Sequence, residues 1–182
     1  MSKLFIASDI HGSATFLREM LNAFEREGAD RLLLLGDLLY HGPRNDLPEG
    51  YAPKEVISLL SPYADRILAV RGNCDTEVDQ MVLPFPILAD YAWVMANGRT
   101  LFLTHGHKYH SDAPPPLPKG SVLLSGHTHV PLVRRCEHFL ALNPGSVSIP
   151  KEGSHHGYLL FEENVFRFMT LSGEEVERVT LD

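Results

Sequence analysis

Five short, largely apolar runs in this chain each break off at a polar residue set beside a glycine. Residues 4–7 lead into Ser8-Asp9-Ile10-His11-Gly12, and residues 32–35 into Gly36-Asp37. Residues 67–70 stop at Arg71-Gly72-Asn73, residues 100–104 at His105-Gly106, and residues 122–125 at Gly126-His127-Thr128-His129. Such runs are too short for helices and too continuous for strands with one wet face, so they read as strands buried on both sides. In α/β sheets the loops at the carboxyl ends of strands converge on one rim, where ligands bind. A chain built this way brings Asp9, His11, Asp37, Asn73, His105, His127 and His129 toward a common edge.

The intervening segments fit that plan. Phe16, Leu17, Met20, Leu21 and Phe24 recur at helical spacing, with Ser13 placed as N-cap and Gly28 as C-terminal cap. A second helix is predicted over 53–60, with Pro53 in its first turn and Pro62 beyond its end. Residues 40–53 carry Pro43, Pro48, Gly50 and Pro53 and read as an irregular excursion. After residue 90 the texture changes: strands are predicted at 91–96, 100–104, 122–125, 132–135, 139–142, 158–162, 165–171 and 176–181. The four prolines within 113–118 exclude a helix interior there. An α/β first half and a β-rich second half imply an α/β fold of two packed sheets with helices outside. At 182 residues, 44% of them hydrophobic, the expectation is one domain over 1–182.

The seven polar residues share a chemistry. Two carboxylates, four imidazoles and one amide oxygen make a mixed oxygen and nitrogen donor set without a thiolate. That set suits borderline divalent transition ions better than an all-oxygen Mg²⁺ or Ca²⁺ site. Seven donors exceed what one catalytic metal with an open position can use. Two ions sharing one carboxylate would use all of them and leave room for water and substrate.

In their order, Ser8-Asp9-Ile10-His11-Gly12, Gly36-Asp37, Gly72-Asn73-Cys74-Asp75, Thr104-His105-Gly106-His107 and Ser125-Gly126-His127-Thr128-His129 resemble the signature of the calcineurin-like metallophosphoesterase superfamily. Further segments, His41-Gly42-Pro43-Arg44-Asn45, Leu47-Pro48-Glu49-Gly50-Tyr51 and Asn143-Pro144-Gly145-Ser146-Val147-Ser148, are similar to its YfcE-type branch of small bacterial phosphodiesterases. The resemblance implies two mixed β-sheets packed face to face and flanked by helices, a four-layer αββα arrangement. It implies that Asp9, His11 and His129 hold one metal and Asn73, His105 and His127 a second, with Asp37 bridging. A hydroxide between the metals would then attack phosphorus in line. The expected ions are two Mn²⁺, with Zn²⁺, Fe²⁺ or Ni²⁺ as alternatives.

Cys74 stands where most of the superfamily has a histidine assigned to the leaving oxygen. A thiol is a weak proton donor with an ordinary pKa of about 8.5, so substrates with good leaving groups are expected. Cys74, Asp75 and His107 are the candidate catalytic residues beside the metal ligands. Arg44 is a candidate phosphate clamp, while His41 and the Asn143–Ser148 turn have no assigned role. His138, His155 and His156 read as solvent-exposed.

The net charge of −7 and the lack of a basic block argue against a nucleic-acid surface. No apolar stretch approaches the roughly 18 residues a membrane span needs. Two cysteines make no disulfide framework, and residues 3–6 are too short for the apolar region of a signal peptide, so a cytoplasmic setting is expected. The expected partner is a small-molecule phosphodiester, with a homo-oligomer as a further expectation. Two competing readings are a non-catalytic, Vps29-like scaffold on the same fold and a phosphomonoesterase or nucleotide pyrophosphatase. Scaffolds of that kind lose ligand positions, whereas all seven here have the expected type.

Overall fold

The computed structural model describes residues 2–181. Its first sheet contains β1 (Leu4–Ala7), β2 (Arg31–Leu34), β3 (Ile67–Ala69), β9 (Gly157–Glu162), β10 (Val165–Thr170) and β11 (Glu175–Thr180), in the order β11-β10-β9-β1-β2-β3. The second contains β4 (Tyr91–Ala96), β5 (Arg99–Thr104), β6 (Ser121–Leu124), β7 (Pro131–Arg135) and β8 (Phe139–Pro144), in the order β4-β5-β6-β8-β7. Both sheets are mixed. In the first, β1 pairs parallel with β2 and antiparallel with β9, and β2 pairs parallel with β3. In the second, β5, β6 and β8 run parallel, flanked by antiparallel β4 and β7.

Alternation along each strand sorts the core into layers. Leu4 and Ile6 of β1 meet Leu101, Leu103, Val122 and Leu124 between the sheets. Phe5 and Ala7 point the other way, toward α1 (Ala14–Glu27) and α2 (Pro53–Leu60). Phe5 stacks on Tyr158 with ring centroids 4.1 Å apart. Such a fully buried aromatic contributes about 1.5–3 kcal/mol relative to an exposed one. The outer face of the second sheet is covered differently: Phe102, Leu123 and Ala141 pack beneath Tyr109 and, from the proline-rich segment, Leu117.

Helix α1 has the predicted ends. The Ser13 hydroxyl accepts from the Phe16 N–H, and Gly28 takes a left-handed φ of 60°. Its buried stripe is Ala14, Leu17, Met20, Leu21, Ala23 and Phe24. A short third helix, α3 (Glu77–Val82), was not predicted from the pattern. It buries none of its residues, so it has no apolar stripe to reveal it; a capping box of Thr76 and Asp79 starts it instead.

Parallel pairing places the carboxyl ends of β1, β2 and β3 on one edge, and those of β5, β6 and β8 on one edge of the facing sheet. The loops after β1, β2, β3, β5 and β6 carry Asp9, Asp37, Asn73, His105 and His127, and Asn143 stands near the end of β8 itself.

Candidate metal centre and active site

The seven sequence-derived donors meet where the two sheets open. Asp9, His11, Asp37, His105 and His129 are buried, His127 is half-buried, and Asn73 is exposed. His11 Nε2 lies 3.1 Å from His129 Nε2, and both face Asp9 Oδ1, at 3.5 and 3.2 Å. On the other side, His105 Nε2 lies 3.0 Å from Asn73 Oδ1 and 3.2 Å from His127 Nδ1. Asp37 Oδ2 sits between the groups, 3.6 Å from His11 Nε2 and 3.4 Å from His105 Nε2.

The tautomers explain why this cluster needs a cation. His11 Nδ1 faces the Tyr40 carbonyl at 2.7 Å, His105 Nδ1 that of Leu35 at 2.7 Å, and His129 Nδ1 that of Ile149 at 2.7 Å. A carbonyl only accepts, so each Nδ1 carries the proton and each neutral ring turns an Nε2 lone pair inward. Lone pairs of His11 and His129 then oppose each other beside a carboxylate. Asp9 Oδ1 is buried and has no hydrogen-bond partner. Buried acceptors converging without a donor repel unless a positive ion lies among them. Asp9 with His11 and His129, and Asp9 with Asp37 and His105, place their donor atoms within 4.8 Å of one another. The residues present therefore fit divalent metal ions.

Protons are the competing cations. Burial opposes ionisation of Asp9, but His105, His11 and His129 hold its carboxyl well below the usual range. Asp37 is lowered too, against burial, by His105. Burial works against charge on His105, yet its hydrogen bond to Asp37 and the Asp9 charge raise it to about 9. His11 is raised against burial by Asp9. Metal and proton thus compete for the same lone pairs.

The backbone at the centre is strained. Asp9, His11, Asp37, His127 and His129 all have positive φ, between 48° and 70°, a region non-glycine residues seldom occupy. Several contacts hold them there. The hydroxyls of Ser146 and Ser148 both donate to the Asp9 carbonyl, at 2.8 and 3.1 Å. Asn143 Nδ2 donates to the Gly126 carbonyl at 2.7 Å. The Asn143–Ser148 turn is therefore a brace for the ligand loops. Two glycines let those loops touch: a Cβ on Gly72 would collide with Asp37 Oδ1, and one on Gly126 with the Ser8 hydroxyl.

The three proposed catalytic residues are placed in distinct ways. Asp75 is buried, and its carboxylate accepts from the N–H groups of Asp37, Leu38 and Gly72 at 2.7–2.9 Å. With its oxygens so engaged, it ties the loops after β2 and β3 together and positions Asp37. Cys74 lies beside the candidate metal ligands, its N–H donating to Asp37 Oδ1 at 2.8 Å. Burial, then the neighbouring Asp37, push its thiol up to about 12. His107 stands off, its ring centroid 5.4 Å from that of His105, and its buried Nδ1 has no hydrogen-bond partner.

Other histidines divide between surface and interior. His138 is exposed as expected. His156 corrects the expectation: its ring stacks on Phe16 at 3.9 Å, and its Nδ1 donates to the Val147 carbonyl at 2.8 Å. His155 is half-buried rather than fully exposed. His41 is half-buried against Tyr40 and Tyr51.

Two cavities meet at the centre. The first, about 310 Å³, is walled by Asn73, Cys74, His127 and His129 together with Arg44 and Lys151. The second, about 520 Å³, lies beyond His127 and Thr128 and is lined by His107, His110, Arg134 and Asn143. Sequence reasoning missed Lys151. No local pattern marks it, because a turn anchored by its N–H on the His129 carbonyl at 3.1 Å brings it to the rim.

The calcineurin-like phosphoesterase superfamily domain matches residues 2–164. The chain is 46% identical to phosphodiesterase YfcE of Escherichia coli strain K12, covering 97% of this chain and 96% of that one. It is similar in structure to YfcE, a phosphoesterase from E. coli, with a TM-score of 0.96 at 45% identity, covering 99% and 100% of the two chains. Vps29 complexed with zinc, from Entamoeba histolytica, shares the fold alone, with a TM-score of 0.61 at 18% identity over 99% of each chain. The chain belongs to the calcineurin-like phosphoesterase superfamily.

Proposed function

We propose that this protein is a phosphodiesterase that works with two divalent transition metal ions, Mn²⁺ first among them. The observation that carries this is the double convergence of acceptors. Asp9 Oδ1 faces His11 and His129 on one side, Asn73 Oδ1 and His127 Nδ1 flank His105 on the other, and Asp37 Oδ2 lies between. On this reading Asp9, His11 and His129 hold one ion, Asn73, His105 and His127 hold the other, and Asp37 bridges. When bound, such a pair supplies an activated water and offsets charge on the phosphate oxygens.

The chain's own residues provide the rest. The carbonyls of Tyr40, Leu35 and Ile149 fix the tautomers of three histidine ligands. Asp75 holds the backbone N–H groups of Asp37 and Gly72, and the Cys74 N–H donates to Asp37 Oδ1, which orients the bridging carboxylate. Cys74, a weakly acidic thiol that burial and the neighbouring Asp37 push up further, donates poorly to a leaving oxygen. That favours diesters with stable leaving groups, and 46% identity to a protein named as a phosphodiesterase supports the choice of diesters over monoesters. A small phosphodiester suits the first cavity in size. We place the protein in the cytoplasm on its free cysteines; no helix among the described residues is long and apolar enough to cross a membrane.

The test crosses metals with substrates. Chelator-treated protein should lose turnover and regain it best with Mn²⁺, and activated diesters should be cleaved faster than monoesters. Undiminished turnover in protein shown to be metal-free would overturn the two-metal reading. A preference for monoesters would overturn the assignment of substrate.

A further inference from the structure

The two cavities that share His127 and Thr128 differ in how their cations are used. In the second, Arg134 is committed to Asp112 at 2.6 Å. In the first, Arg44 and Lys151 stand on the wall, and neither side chain has an acidic partner or a hydrogen bond among the described residues. Among the described residues the only acidic one lining that cavity is Asp37, which faces His11 and His105. The chain as a whole is acidic, with 23 carboxylates against 16 lysines and arginines, so two uncommitted cations facing one cavity call for a ligand.

Both cations are carried on loops that the metal centre holds in place. The loop of Arg44 begins at Gly42, where an added Cβ would meet Cys74 Sγ at 3.2 Å. Asn45 closes that loop by donating to the His41 carbonyl at 2.8 Å. Lys151 is anchored through its N–H to the carbonyl of His129, and its own carbonyl accepts from Ser154. Their placement therefore follows that of the metal ligands.

Charge complementarity identifies the ligand. Two divalent ions bring more positive charge than Asp9 and Asp37 offset, and Arg44 and Lys151 add to it. A simple diester carries a single negative charge, which the ions already meet. We infer that Arg44 and Lys151 form an anion subsite beside the metal centre, selecting phosphodiesters whose second arm carries a further anionic group such as a phosphate. The inference rests on the two-metal phosphodiesterase reading. Arginine provides a planar fork for phosphate oxygens, and lysine a mobile point charge.

Two measurements on the Mn²⁺-loaded protein test it. The first needs no turnover: calorimetric binding of alkane bisphosphonates, two to five carbons long, against alkyl monophosphonates of equal length. One phosphonate occupies the metal centre in both series, so the difference reads the second anion. Wild type should bind at least one bisphosphonate about tenfold more tightly than its monophosphonate, and an R44Q/K151Q double variant should lose that preference. The second compares 4-nitrophenyl diesters whose other arm ends in a methoxy group or in a phosphate. The double variant should raise KM about tenfold more for the phosphate-ended ester than for the methoxy ester. Equal affinity for the two phosphonate series in wild type would overturn the subsite. So would an equal loss on both esters, since the cations would then contact the reacting phosphate. Turnover of neither ester by wild type would strike the phosphodiesterase reading, whereas ester turnover without any phosphate preference would strike the subsite alone.

Discussion

The two halves of the metal centre are built to different standards. Asp9, His11 and His129 are all buried, both histidines are locked by backbone carbonyls, and the Asp9 carbonyl is held by two serine hydroxyls. Asn73, His105 and His127 share one locked histidine; His127 is half-buried and Asn73 is exposed. A cage that cannot relax keeps its ion, whereas a cage with mobile walls can admit solvent and substrate. The inner half is therefore expected to hold its metal tightly and the outer half to exchange and meet the substrate.

Asp37 belongs to both halves, and its loss gives the largest expected effect. Asp37→Asn preserves shape but removes the charge that the two-metal proposal sets between its cations. Activity should fall at least ~10²-fold, in line with losing charge stabilisation at a reacting centre. Metal content should fall with it while the far-UV circular dichroism stays native. A variant that keeps both ions and full activity would break the bridge and the comparison with it.

Single-ligand variants sharpen the contrast. After dialysis, His127→Ala should retain one tightly bound ion per chain, and His129→Ala should not. Removing the brace with Ser146→Ala and Ser148→Ala should weaken the tight ion by about 10–100-fold, the usual cost of losing a group that orients a ligand. Equal losses in His127→Ala and His129→Ala would show that the halves do not differ.

The pH response of the metal-free protein tests a feature that the two halves share. His105 is raised to about 9, and His11 is raised as well, each by neighbouring carboxylates acting against burial. A histidine whose folded pKa exceeds its unfolded value of about 6.5 binds a proton more tightly in the native state. Its contribution to stability is complete below pH ~6.5 and is lost as pH rises through about 9. Thermal unfolding of chelator-treated protein should therefore move to lower temperature over that window. With Mn²⁺ present the decline should shrink, because metal binding strengthens as protons leave. A metal-free midpoint that rises over the same window would contradict the assignment.

Cys74 should give the smallest effect. On the two-metal proposal the attacking water does not depend on this thiol, so Cys74→Ala should retain activity on nitrophenyl diesters. The loss should be far below the 10²–10⁴-fold that a well-placed general acid is worth. Cys74→His should help alkyl leaving groups more than nitrophenolate. An inactive Cys74→Ala that still binds both ions would make the thiol catalytic.

The residues themselves determined much of this protein. The donor types at Asp9, His11, Asp37, Asn73, His105, His127 and His129 set the chemistry, because a ligand's softness and charge belong to its side chain. Helix α1, its caps and most strand positions were legible because period and capping are local properties of the chain. What needed the tertiary structure depends on partners far apart in sequence. The pairing of β1 with β9, the left-handed backbone at five ligands, and the anchoring of His129 on Ile149 carry no local signal. The same holds for the placement of Asp75 on the Asp37 loop and of Lys151 on the cavity wall. A side chain's chemistry travels with its residue, but its orientation, protonation and neighbours are set by the groups the fold packs against it.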